Sequence, residues 1–177
     1  MERDEWFTLS EVAERLGALV WVETQLAELL TGWSSIESEP AVAVHFATVG
    51  RHHRWHAHVI GECLPTMAAL DRTAVVVAPT AGWQTSVETL RGLVGPDATS
   101  ARLRSIVKVI DPWVAVDTAS LLDLARPISD AAMCRWLRFV ELDHHDDGAA
   151  AAELLANLNE PAVRFDDHLV VHDLDLS

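Results

Sequence analysis

Tyrosine is absent from the 177-residue chain, although seven tryptophans and four phenylalanines are present. A mechanism that stores an oxidising equivalent on a tyrosyl radical is therefore excluded. Cysteine is scarce: Cys63 and Cys134 have no paired spacing, so neither a disulfide framework nor a cysteine metal knuckle is available, and both read as small buried hydrophobes. Basic residues are outnumbered, 13 Lys and Arg against 27 Asp and Glu, for a formal charge of −14 with His neutral. Such a chain repels phosphate backbones and anionic headgroups, so nucleic acid is not an expected partner. No stretch approaches the roughly 18 to 20 apolar residues of a membrane span. Met1 leads into Glu2-Arg3-Asp4-Glu5 rather than a basic and then apolar leader. The expected location is the cytoplasm, with no membrane partner. Glycine and proline, at eight and seven residues, are too few for a fibrous or low-complexity composition.

Half of the residues are hydrophobic, and the length suits a single domain, 1–177, with a core of its own. Ser10, with Glu11 and Glu14 behind it, predicts a first helix over 9–34. Glu39-Pro40 opens a second over 39–63, halted before Pro65 and paired with the first as an antiparallel hairpin. The segment from Thr66 to Gly95 reads as a long connection, with an extended piece at 74–79 and a short helix over 85–93. Thr99 or Ser100 begins a third long pattern, 99–126, which Pro112 must kink or split. Ser129 caps a fourth over 129–159, and 163–177 reads as an extended tail.

A 3/4 spacing laid on each long helix shows what fills its buried stripe. The first gives Val12, Leu16, Leu19, Glu23, Leu26, Leu30 and Trp33. The second gives Val42, Phe46, Val49, His53, His56, Ile60 and Cys63. The third gives Leu103, Val107, Ile110, Val114, Asp117, Leu121 and Leu124, and the fourth Cys134, Leu137, Glu141, His144, Gly148, Ala151 and Leu155. Polar groups thus interrupt all four stripes near mid-helix. An unpaired buried charge costs several kcal/mol, so these groups must satisfy one another or share an ion. Imidazole and carboxylate suit iron, manganese or zinc. The candidate ligands are Glu23, His53, His56, Asp117, Glu141 and His144.

This arrangement resembles the ferritin-like, carboxylate-bridged di-iron superfamily. Its four-helix bundle, with one long crossover between the second and third helices, presents lone carboxylates from two helices and Glu-x-x-His from the other two. Over residues 9 to 158 the resemblance makes Glu23 a terminal carboxylate, His56 the first histidine, Asp117 the second lone carboxylate, and Glu141 with His144 the second Glu-x-x-His. The pattern is broken where His53 replaces a bridging glutamate, because an imidazole cannot bridge two metals as a carboxylate does. A mononuclear site, or none, stays open beside a di-iron one. In its use of helical ligands the chain is also weakly similar to a small group of bacterial thiol-transferase bundles.

Alternative registers remain. His52 and His56 form an i, i+4 pair, His45 and His58 share the helix, and His145 lies four residues after Glu141. Glu23 and Asp117 could instead pair with arginines, and Asp111 could be a helix cap. The implied function is a metal-dependent oxidoreductase or oxygenase that activates dioxygen on a small-molecule substrate. Its competitors are a metal-free enzyme of the same fold with a His/Glu acid-base pair, and a non-catalytic scaffold whose polar network fixes helix register. The tryptophans read mainly as packing residues and leave room for a homodimer.

Overall fold

The computed structural model describes residues 8–158 apart from 67, 69 and 127. The described residues are all-α: α1 (Leu9–Ile36), α2 (Pro40–Glu62), α3 (Ala81–Arg91), α4 (Thr99–Ser105), α5 (Asp111–Leu124) and α6 (Ala131–Asn157). A 3-10 turn, Pro96–Ala98, precedes α4, and a π-helical turn, Ile106–Ile110, joins α4 to α5. Among the described residues there is no strand, and no helix is long and apolar enough to cross a membrane. The expected tail at 163–177 lies outside the described residues.

Local chemistry explains the boundaries. α1 is capped by Thr8 rather than Ser10, because Thr8 and Glu11 form a capping box: Glu11 N–H donates to Thr8 Oγ1 at 3.2 Å, and Thr8 N–H donates to the Glu11 carboxylate at 2.7 Å. Pro40 opens α2 in its first turn, where a missing N–H costs nothing. At the start of α6 the cap position belongs to Asp130 rather than Ser129, and the Asp130 carboxylate is engaged by the Arg126 N–H at 2.7 Å. Pro112 does not split its helix, which runs on from Thr99 to Leu124 through the π-helical turn. Without an N–H it leaves the carbonyl four residues back unpaired. The ladder widens instead, and Asp111 N–H donates to the Ile106 carbonyl five residues away.

Contacts along the helices fix their directions. Trp33 packs on Phe46 at 5.5 Å near the end of α1 and Gly61 lies beside Val20 near its middle, so α1 and α2 are antiparallel. Arg102 pairs with Glu37, and Arg15 with Ser120, so the α4–α5 rod also runs opposite to α1. α6 is antiparallel to α2 through His52–Asp147 and His56–Asp143.

The connection between α2 and α4 is held down at both ends. Residues 72–75 form turns rather than the expected extended piece. The Val75 carbonyl sits in the space that a Cβ on Gly17 would fill, so only glycine allows this approach. The short helix lies at Ala81–Arg91, capped by Thr80, a few residues earlier than the 85–93 pattern implied, and it buries Trp83, Val87 and Leu90. Farther on, Arg102 is fully buried: its Nη1 donates to Glu37 at 2.8 Å, Nε to the Leu93 carbonyl at 2.8 Å and Nη2 to the Gly95 carbonyl at 3.0 Å.

The core divides into two apolar clusters. One gathers Leu26, Leu30, Trp33, Phe46, Trp83, Leu103 and Ile106. The other gathers Leu16, Leu19, Ile60, Val114, Leu121, Leu137 and Val140. Along α1, α2 and α6 the boundary between them falls at Glu23, at His53 and His56, and at His144, which together form a buried polar layer.

Candidate metal centre

The polar layer follows from helix periodicity. Glu23 continues the α1 stripe of Leu16, Leu19, Leu26 and Leu30, so its carboxylate is carried to the bundle axis and is 0% exposed. His53 and His56, three residues apart, project from one face of α2, and His144 follows Leu137 and Val140 on α6. One ligand atom from each of these four residues lies within 4.8 Å of every other.

Glu23 is the hub. Its Oε2 lies 2.7 Å from His53 Nδ1 and 3.3 Å from His56 Nδ1, and its Oε1 lies 3.0 Å from His144 Nε2. Two of the rings meet a second carboxylate on their far side. His56 Nε2 is 3.1 Å from Asp143 Oδ2, and His144 Nδ1 is 3.8 Å from Asp111 Oδ1. The π-helical turn delivers Asp111, whose carboxylate occupies the space that a side chain at Gly148 would need. A ring with a carboxylate at each nitrogen must hold two protons, or hold one and offer the other nitrogen to a cation.

The electrostatics agree with the geometry. Burial opposes ionisation of Glu23, but the His53 and His144 rings outweigh it and hold the carboxyl well below its usual range. Burial also opposes charge on His144, yet Glu23 and Asp111 push its pKa up to about 10. His53 responds the other way: burial, with the neighbouring rings, prevails over Glu23 and lowers its pKa. Beside this layer, His52 Nδ1 pairs with Asp147 at 2.8 Å. Buried His45 has its pKa lowered by burial, and its Nε2 has no hydrogen-bond partner among the described residues.

No family model, curated protein or solved structure matches the chain.

Of the six residues singled out by spacing, the structure brings four together: Glu23, His53, His56 and His144. Asp117 is not among them. Half-buried, it lies 3.6 Å from Arg15, and burial raises its pKa despite that partner. The stripe position at this level belongs to Thr118: Val114, Thr118 and Leu121 are buried, a 4/3 count that satisfies the spacing as well as 114-117-121 does. Glu141 is exposed. α6 buries Leu137, Val140, His144, Asp147 and Ala151, so the inward stripe passes one residue before Glu141. Three carboxylates that touch the rings were not singled out as ligands: Asp111, Asp143 and Asp147. Asp143 and Asp147 stand at i−1 and i+3 from His144, and Asp111 precedes the proline that creates the π-helical turn. Those two spacings were the available signals.

Proposed function

We propose that the protein is a ferritin-like helical-bundle metalloprotein. It binds one first-row divalent ion through Glu23, His53, His56 and His144, iron being the one that suits the redox role, and serves as an oxidoreductase that activates dioxygen on a small-molecule substrate. The observation that carries this reading is the convergence of four buried donor atoms from three helices within 4.8 Å. The donors of one ion bonded at about 2.0–2.2 Å stand on the order of 4 Å apart at most, so small adjustments suffice.

The donor chemistry fits as well. Three imidazoles and a carboxylate suit iron, manganese and zinc alike. Asp143 and Asp111 stand behind His56 and His144 as the partners that fix ring orientation at metal sites. With Asp117 and Glu141 outside the cluster, no second set of bridging carboxylates accompanies it among the described residues, which favours one ion over two. The ferritin-like assignment is supported by α2 and α4–α5 both running opposite to α1, with residues 63–98 returning the chain between them.

When bound, the ion would supply one-electron redox chemistry and a coordination position for oxygen. The chain's own contributions are separable from that. Glu23 supplies the negative charge that offsets the cation, Asp143 and Asp111 hold two rings in place, and Leu19, Val22, Leu26, Val49 and Val140 exclude bulk water. Elemental analysis of protein purified without a chelating tag, after growth with iron, manganese and zinc, tests the reading. About one metal per chain is expected, and loss of that metal in Glu23→Ala identifies the site.

One observation favours a second reading. The four groups already satisfy one another, with Glu23 ionised and His144 charged, as in a metal-free acid-base site. Absence of metal after reconstitution would replace the first reading with this one.

A further inference from the structure

At the end of the bundle where α1 begins and α2 stops, a cavity of about 570 Å³ opens between Leu9, Val12, Cys63, Pro65, Met133 and Trp136. Cavities of roughly 300–1,000 Å³ are those that hold small molecules. This one is distinct from the polar layer: along α1, α2 and α6 its lining residues lie some two turns or more from Glu23, His56 and His144. Its walls are largely apolar, with Met133 buried and Trp136 half-buried, while Ala132 is exposed at its edge.

Charge at the rim has a sign. Among the described lining residues, Glu62 and Asp130 stand against one guanidinium, Arg126. The carbonyl end of α2 terminates here, and that end of a helix dipole favours positive charge, part of which the Arg72 guanidinium supplies by donating to the Gly61 carbonyl. The opposing amide end of α6 already carries a carboxylate, Asp130, at its cap position. Beyond the rim, the field of a chain with net charge −14 attracts cations and repels anions.

We propose that this cavity is a binding site for a small molecule with an apolar body and a cationic head, of the alkylammonium class. The site stands independently of the metal centre. Trp136, which lines the cavity, packs edge-on against Trp55 at 5.8 Å, so occupancy should alter indole fluorescence. Cys63 offers a second reporter. Burial, with the Glu62 charge, raises its pKa and keeps it a slowly reacting thiol, and a ligand in the cavity should slow its alkylation further.

The test is calorimetric titration of the full chain with octylammonium, octanol and octanoate below their aggregation limits. Fluorescence and Cys63 alkylation are followed in parallel. The expected result is saturable one-to-one binding of octylammonium, about tenfold tighter than octanoate, with octanol between them. Glu62→Gln on the exposed rim should shrink that preference to about threefold. Ala132→Trp, which fills the mouth from an exposed position, should abolish binding while leaving the circular dichroism melt unchanged. The proposal is overturned by octanoate binding as tightly as octylammonium, by binding that survives Ala132→Trp, or by no saturable binding of any probe.

Discussion

The apolar clusters and the polar layer between them occupy the same helix stripes at the same spacing, yet they are held together by different physics. In the clusters, burial of Leu16, Leu26, Phe46 or Leu137 is non-directional and scales with area, so neighbours of similar volume can substitute for one another. In the layer, Glu23 meets three rings at 2.7 to 3.3 Å, and each contact depends on a partner that nothing else can replace. Removing a partner there leaves a buried charge, whereas removing a methyl group in the clusters leaves a void. One region tolerates change of shape; the other tolerates change of neither shape nor charge.

The largest effect that distinguishes the two is expected from Glu23→Ala. With its carboxylate gone, the charge on His144 keeps only Asp111 at 3.8 Å, and breaking such a pair costs about 3–5 kcal/mol. Urea unfolding of metal-free protein measures this loss, and metal content should fall to background in the same variant. Next comes Leu26→Ala, fully buried in an apolar cluster, with an expected loss of about 2–5 kcal/mol but undiminished metal per folded chain. Loss of metal in that variant would show that the layer lacks independence from its surroundings. A smaller effect on stability is expected from Asp143→Asn. Its side chain is partly exposed and pairs with His56, so stability should change by less than about 1 kcal/mol while metal affinity drops about 10- to 100-fold in a competition titration. Smallest of all, Glu141→Ala should stay within about 0.5 kcal/mol and keep its metal, because the residue faces solvent. A metal-free Glu141→Ala protein would mean that α6 is turned by one residue from the register described.

The pattern of these effects mirrors what could be read from the sequence. The α1 stripe through Leu16, Leu19, Glu23, Leu26 and Leu30 was fully legible, because a 28-residue helix with no proline keeps one phase along its length. His53 and His56 followed from the same reasoning on α2. In α6 two stripes, 137-140-144-147-151 and 137-141-144-148-151, both satisfy the 3/4 spacing and share His144. They differ in whether Val140 or Glu141 faces inward, and the apolar side chain takes the inward place. Asp117 was misplaced in the same way, since 114-117-121 and 114-118-121 both satisfy the spacing and it is Thr118 that is fully buried. Bundle-level features such as the Gly17 contact with Val75 join residues 58 positions apart in sequence and could not be read from local pattern at all.

The π-helical turn before Pro112 behaves as a phase shifter built into a continuous helix. One extra residue in a single turn rotates everything downstream by about 100° relative to everything upstream, without lengthening a neighbouring helix. The α4 half is therefore free to meet the demands of Arg102 and Glu37 at one end of the bundle. The α5 half meets those of Arg15 and Ser120 at the other, and Asp111 falls at the junction beside His144. A single helix is in this way geared to two partners whose faces do not share a period.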